Sequence, residues 1–395
     1  MVTPLVTKRF VFTPRPVIHI LPSERGFFLP FNQAGIMPHW MLKAACQGVL
    51  SLIPKSHFWN HLAQRYAAIF MPTCPETAEL TSDVFEYKLR QCNCHIESYL
   101  AAHHARSLAN NRSQTITCLY SHPTLHQIPQ HGLTGYASPS QHKSLQECSV
   151  LELGTGLYPV IPVGLYLSGA SKIWTIDKVS LLRPKSVATV LRLFIQYATS
   201  GRLFELVPYA RKDRIADLAV ALEKSPDLHP NELLKHCNIY PINCDARDTK
   251  LKDSSVEFFI SNNTLEHIRN DVIRGIFTEF RRLSSNFCVI SHYIDMIDHY
   301  HYFDKSLSFF NFRKYSSNFF KIFNNSLHYQ NRNFLADYIS LHQAAGFKIF
   351  YNFAERSSDE NLKKITLARE FLNYSLDDLL VTCCWMVSTY SERRK

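Results

Sequence analysis

From residue 148 onward, short β-rich apolar runs alternate with helical segments, and no other feature limits the possible folds as strongly. The runs are "CSVLELGT" at 148–155, "KIWTID" at 172–177, "IYPINCD" at 239–245, "VEFFISN" at 256–262, "NFCVISHYI" at 286–294, "KIFYNF" at 348–353 and "LLVTCCWMVSTY" at 379–390. Between them, "VIPVGLYLSGA" reads as a short helix ending at Gly169, and "NFLADYISLHQAAGF" as one closed by Gly346. "TLEHIRNDVIRGIFTEFRRLS" reads as a single amphipathic helix. Its apolar stripe is Leu265, Ile268, Val272, Ile276 and Phe280, with Thr264 or Asn263 as the cap. Apolar strands alternating with helices predict an α/β fold with a doubly wound, mostly parallel sheet covered on both faces. Ligands of such sheets sit at the carboxyl ends of the strands.

The turn after the first run therefore matters most. "ELGTG" places Gly154 and Gly156 where the chain bends into a helix. Glycine there permits positive φ and close approach of a ligand to the backbone. A dinucleotide fingerprint would carry a third glycine where Pro159 stands. Glu152 beside the turn would repel a pyrophosphate but suits a cationic ligand, and S-adenosylmethionine, with its sulfonium and ammonium, is such a ligand.

On these residues the chain resembles the class I S-adenosylmethionine-dependent methyltransferases, whose first motif is an acidic residue followed by Gly-x-Gly. Glu152, Gly154, Thr155 and Gly156 match it here. The second strand ends in Asp177, where the family carries an acid and where a carboxylate can accept both ribose hydroxyls. The third ends in "NCDARD", and the fourth in "SNNTLEHI", which is similar to the family's motif after that strand. The resemblance implies a Rossmann-like, mostly parallel seven-stranded sheet and S-adenosyl-L-methionine as cofactor. It implies that Asp245 binds the adenine amino group and the Ala246 N–H a ring nitrogen. It also implies that the backbone of Ser261 and Asn262 holds the methionine end, with Asn263 facing the transfer site. The resemblance spans roughly 148–355, and the region 285–347 looks like uncharacterised bacterial methyltransferases.

The implied activity is methyl transfer to a small molecule or glycan precursor, by O- or N-methylation. An RNA or protein methyltransferase, and a non-catalytic binding protein that kept the fold, are the alternatives. A hydroxyl acceptor is helped by a general base. The segment 292–304 concentrates His292, Asp295, Asp298, His299, His301 and Asp304. The expectation is His292 or His299 as base, oriented by Asp295 or Asp298. The tyrosines and phenylalanines from Tyr293 to Phe312 either wall an acceptor pocket or form core. No metal is expected: His and Asp in this segment could bind a divalent ion, but no spacing fixes one. "QCNCHIE" offers Cys92, Cys94 and His95 without the matching distant pair that zinc needs.

The rest of the chain divides into a helical extension at 1–104, a polar loop at 105–147, and a core domain at 148–395 with insertions at about 180–238 and 297–332. Helical spacing is expected in "MPHWMLKAACQGVLSLI", "FWNHLAQRYAAIF" and "VFEYKLRQCNCHIESYLAAH", the last with Phe85, Leu89, Ile96 and Leu100 on one face. These helices are read as a lid or packing extension, or else as a partner-binding face. The net charge of +10 is scattered. It permits a nucleic-acid or anionic-membrane partner without indicating one. Eleven cysteines without framework spacing, and the lack of a secretory signal, point to a cytoplasmic protein with reduced thiols. No apolar run reaches membrane-spanning length.

Overall fold

The computed structural model describes residues 39–53, 59, 80–110, 145, 147–223 and 229–391. The expected helix in "FWNHLAQRYAAIF" and most of the expected polar loop lie outside these residues. The described fold belongs to the unit Trp40–Lys395.

Seven strands form one sheet: β1 (Ser149–Leu153), β2 (Lys172–Asp177), β3 (Ile239–Asn243), β4 (Val256–Asn262), β5 (Ser284–Asp295), β6 (Lys348–Arg356) and β7 (Val381–Ser391). Their order is β3-β2-β1-β4-β5-β7-β6. The first five run parallel, and β7 is antiparallel to both β5 and β6. This is the expected doubly wound, mostly parallel, Rossmann-like sheet. The order reverses between β1 and β4, so a crevice opens at their carboxyl ends.

Among the described residues, the helices of eight or more residues are α1 (His39–Ser51), α2 (Ser82–Asn110), α3 (Val160–Leu167), α4 (Pro184–Thr199), α5 (Lys212–Glu223), α6 (Asn270–Leu283) and α7 (Leu335–Ala344). Two cores sandwich the sheet. Val150, Ile173, Phe258, Ile260 and Val289 meet α2, α3, α4 and α5 on one face. Leu151, Ile176, Phe259, Ile290 and Met386 meet α6 and α7 on the other. Burial on both faces explains why β1 and β4 read as nearly continuous apolar runs.

α2 is part of the first core. Its Phe85, Leu89, Cys92 and Ile96 are buried, and it continues to Asn110. The contact with α3 is close: a Cβ on Gly164 would stand 2.7 Å from Cys92 Sγ. After β5, the aromatic segment also folds largely as core. Tyr300 and Phe312 pack with Trp40 of α1, and Phe310 with Phe334 and Phe371.

The expected single helix over 264–284 is two elements. A 3-10 turn spans Leu265–His267, Ile268 is extended, and α6 starts at Asn270. A distant residue explains the break. Asn331 Nδ2 donates to the carbonyls of Leu265 and Ile268, each at 2.8 Å, and the Asn331 N–H donates to Glu266 O at 2.7 Å. Asn331 thus supplies donors to carbonyls at the break, of which Leu265 O also accepts the Ile268 N–H at 3.2 Å. Of the expected stripe, Ile276 and Phe280 are buried on α6 and Leu265 in the 3-10 turn, Ile268 and Val272 are partly buried, and Ile273, Phe277 and Leu283 complete the buried face.

Candidate active site

Two carboxylates meet at the crevice. Glu152, near the end of β1, is buried and accepts from Thr155 Oγ1 at 2.5 Å. Burial pushes its carboxyl up to about 7; the Asp177 charge adds to the rise, while Thr155 and the Lys88 ammonium oppose it. Asp177 ends β2 and accepts the Gly156 N–H at 3.3 Å. Burial pushes it up to about 6, against the N–H groups of Gly156 and Thr155. Both carboxyls thus titrate above their ordinary range, because burial penalises the charged form.

The two glycines between them serve different ends. Gly154 has φ +81°, its N–H donates to Ile176 O at 2.8 Å, and a Cβ there would stand 2.3 Å from Thr264 Oγ1. It lets the β1 turn pack against the end of β4. Gly156 has φ +73°, and a Cβ there would meet nothing within 4 Å. It faces open space beside Asp177. That carboxylate also borders a small pocket lined by Thr175, Leu181, Leu182, Ile242 and Asn243.

At the end of β3, Asp245 is exposed and paired with Arg247, whose Nη2 stands 2.5 Å from its Oδ2. That guanidinium pulls its carboxyl down to about 2. Ala246 is buried. At the end of β4, successive side chains point to opposite faces. Ser261 Oγ meets His292 Nδ1 at 2.6 Å, whereas Asn262 Oδ1 meets His95 Nε2 at 3.1 Å. Asn263 is left-handed at φ +46°, which asparagine tolerates, and its N–H donates to Tyr293 O.

His95 comes from α2 and spans β4 and β5, since its Nδ1 also meets Ser291 Oγ at 2.8 Å. Nε2 faces an amide oxygen, so it is the donor, and Nδ1 accepts the serine proton. Burial pushes its pKa down to about 3, keeping it neutral. Cys92 donates to Ile161 O at 3.7 Å, so Cys92 and His95 have separate partners and do not converge as zinc ligands. The sequence reading missed Lys88 and assigned His95 no site role. Their signal is two polar residues seven apart on one helical face beside the apolar stripe. It acquires meaning only once α2 is seen against β1 and β5.

The expected base candidates separate. His292 is fully buried between Phe277 and His342 on the α6 and α7 face, so it is not a wall of the crevice. Asp298 is buried and spent on the Tyr300 N–H and Asn311 Nδ2, both at 2.9 Å. Asp295 and His299 do pair: His299 Nε2 lies 3.3 Å from Asp295 Oδ2, which also accepts from Tyr302 Oη at 2.6 Å. Glu266 is buried, and its Oε1 accepts the Asp295 N–H at 3.4 Å. Burial, then the Asp295 charge, holds its pKa well above the usual carboxylate range.

No protein-family model matches the chain, and no curated protein matches it. Solved structures do. It is similar to a SAM-dependent methyltransferase from Methanosarcina mazei, with 13% identity over 65% of this chain and 98% of that one, at a TM-score of 0.36. A putative sarcosine dimethylglycine methyltransferase from Galdieria sulphuraria matches at 15% identity over 63% and 80% of the two chains, at 0.34. Phosphoethanolamine N-methyltransferase 2 from Haemonchus contortus matches at 11% identity over 62% and 49%, also at 0.34. Among the described residues, no helix is long and apolar enough to cross a membrane. Cysteines of the described residues, such as Cys92, Cys148 and Cys384, are free thiols.

Proposed function

We propose that the chain is an S-adenosylmethionine-dependent methyltransferase acting on a small-molecule or glycan-precursor acceptor by O- or N-methylation. The observation that carries this reading is the pair of carboxylates, buried Glu152 and half-buried Asp177, flanking a glycine turn that faces open space at the β1/β4 crevice. A phosphate would be repelled there. A ligand with a positive charge at one end and a ribose diol at the other would draw both carboxyls into their ionised forms.

The residues present fit that donor. Asp177 would accept the ribose hydroxyls and Gly156 would give room for the backbone to approach. Glu152 would face the cationic end, with the Ser261–Asn263 backbone beside it. Asp245 and Ala246 would meet the adenine edge, for which Asp245 must release Arg247. Bound there, the donor supplies an electrophilic methyl group on a sulfonium. The chain's own task is alignment in a water-poor site. His95 serves it by tying Asn262 to β5. For a hydroxyl acceptor, His299 would take the proton, with Asp295 stabilising the imidazolium.

Calorimetric titration of S-adenosylmethionine tests the reading. One-site binding is expected, weakened at least about tenfold in Asp177→Ala, since hydrogen bonds to a charged group are each worth about 1.5–3 kcal/mol. No binding by the wild type, or equal binding by the variant, overturns it. Incubating methyl-labelled donor with fractionated cell extract then reports the acceptor's size class.

A further inference from the structure

Beyond the donor pocket, one cluster of side chains has a chemistry that methyl transfer does not explain. Glu266 and His267 lie in the 3-10 turn after β4, and His299 follows β5. Among the described residues, these three form the one group whose His, Cys or carboxylate donor atoms, one per residue, could hold a metal ion; the atoms all lie within 4.8 Å of one another. Neighbouring ligands of a tetrahedral ion bound at about 2.1 Å stand about 3.4 Å apart, so closing around an ion needs little more than side-chain movement.

Three further observations point to a ligand. Glu266 Oε2 is buried and has no hydrogen-bond partner, which is costly for a carboxylate unless something is meant to meet it. His267 Nδ1 lies 2.9 Å from Tyr329 O, so Nδ1 carries the proton and Nε2 keeps its lone pair free. His299 Nε2 is likewise buried without a hydrogen-bond partner, with Asp295 Oδ2 3.3 Å away. His267 is exposed while Glu266 is buried, which leaves one open side for entry and for a fourth ligand.

We propose that Glu266, His267 and His299 bind one divalent transition-metal ion, of the class represented by Zn2+, with an open fourth position. Two imidazoles and one carboxylate favour such an ion over Mg2+ or Ca2+, which prefer all-oxygen sets. The open position would take water or an acceptor oxygen, and with the ion in place His299 serves as a ligand and not as the base; that role at the acceptor rests on the methyltransferase reading, whereas the site itself does not.

Untagged full-length protein is stripped with a chelator and titrated with Zn2+ against a chromophoric competitor. Co2+ is then added as a spectroscopic probe of geometry. One Zn2+ per chain is expected, with tetrahedral or five-coordinate Co2+ absorption. Glu266→Gln, His267→Gln and His299→Gln should each weaken binding at least tenfold. His301→Gln should bind as wild type, because His301 Nδ1 is already engaged with Leu307 O at 2.8 Å. His267→Gln is at an exposed position and keeps the comparison valid if the buried substitutions unfold the chain, which circular dichroism reports. Absent Zn2+ binding by the wild type, or wild-type affinity in folded His267→Gln and His299→Gln, overturns the proposal. Donor binding is read on the same samples. Intact metal binding without donor binding would refute the methyltransferase reading alone, and the reverse would refute the metal site alone.

Discussion

Substituting each glycine of the β1 turn by alanine should separate packing from ligand access. Gly154→Ala adds a Cβ standing 2.3 Å from Thr264 Oγ1 and 2.6 Å from Thr264 Cγ2. Thr264 cannot yield cheaply, because its hydroxyl bonds Asn262 O at 2.8 Å and lies 3.3 Å from Leu153 O. Forcing an L-residue into the left-handed region costs roughly 1–2 kcal/mol. Overpacking adds roughly 1–3 kcal/mol. The expected loss is therefore about 2–5 kcal/mol, a large part of a typical total of about 5–15 kcal/mol. Gly156→Ala has comparable backbone strain at φ +73° but no clash, so its stability loss should stay near 1–2 kcal/mol. Its Cβ enters the space where the donor would lie, so donor binding should fall well beyond what the stability change explains. Urea unfolding gives the stabilities from the midpoints at a common slope, and calorimetry gives donor affinity. Equal stability losses, or wild-type donor affinity in folded Gly156→Ala, would refute the division of roles.

The carboxylates make a pH prediction. The folded pKa values of Glu152, about 7, and Asp177, about 6, lie above the ordinary 4.5 and 3.8. The stability linked to a raised acid is complete below its unfolded pKa and is lost as pH rises through the folded one. Unliganded protein should therefore lose stability between about pH 4 and pH 8, and in Glu152→Gln on the order of 3 kcal/mol of that decline should be absent. Urea midpoints across this range check it; parallel profiles for the two proteins would count against the placement of Glu152. Lys88 lowers the Glu152 pKa, so Lys88→Met should move the pH midpoint of donor binding upward. Calorimetry at several pH values reads this, and an unmoved midpoint would remove Lys88 from the site.

Local pattern determined the sheet. The runs ending in Asp177 and Asn262 match β2 and β4 because apolar β-branched and aromatic residues bounded by polar turns leave no other period open. The acids at the strand ends were legible for the same reason: each lies where its strand stops, and in a parallel sheet those ends share one edge. What lay beyond the sequence depended on contacts between distant segments. Nothing near residue 268 signals a helix break, because the side chain that takes the freed carbonyls is Asn331. Period-2 alternation told that Ser291 and His292 face opposite ways, but not that His292 meets Phe277 while Ser291 meets His95. The docking of α2 brought Lys88 to Glu152, and the adjacent ends of β4 and β5 brought Glu266 and His267 to His299. Sequence spacing records what one element presents. Which elements face each other is decided by the packing of the whole core, and the side chains that converge between them are decided there too.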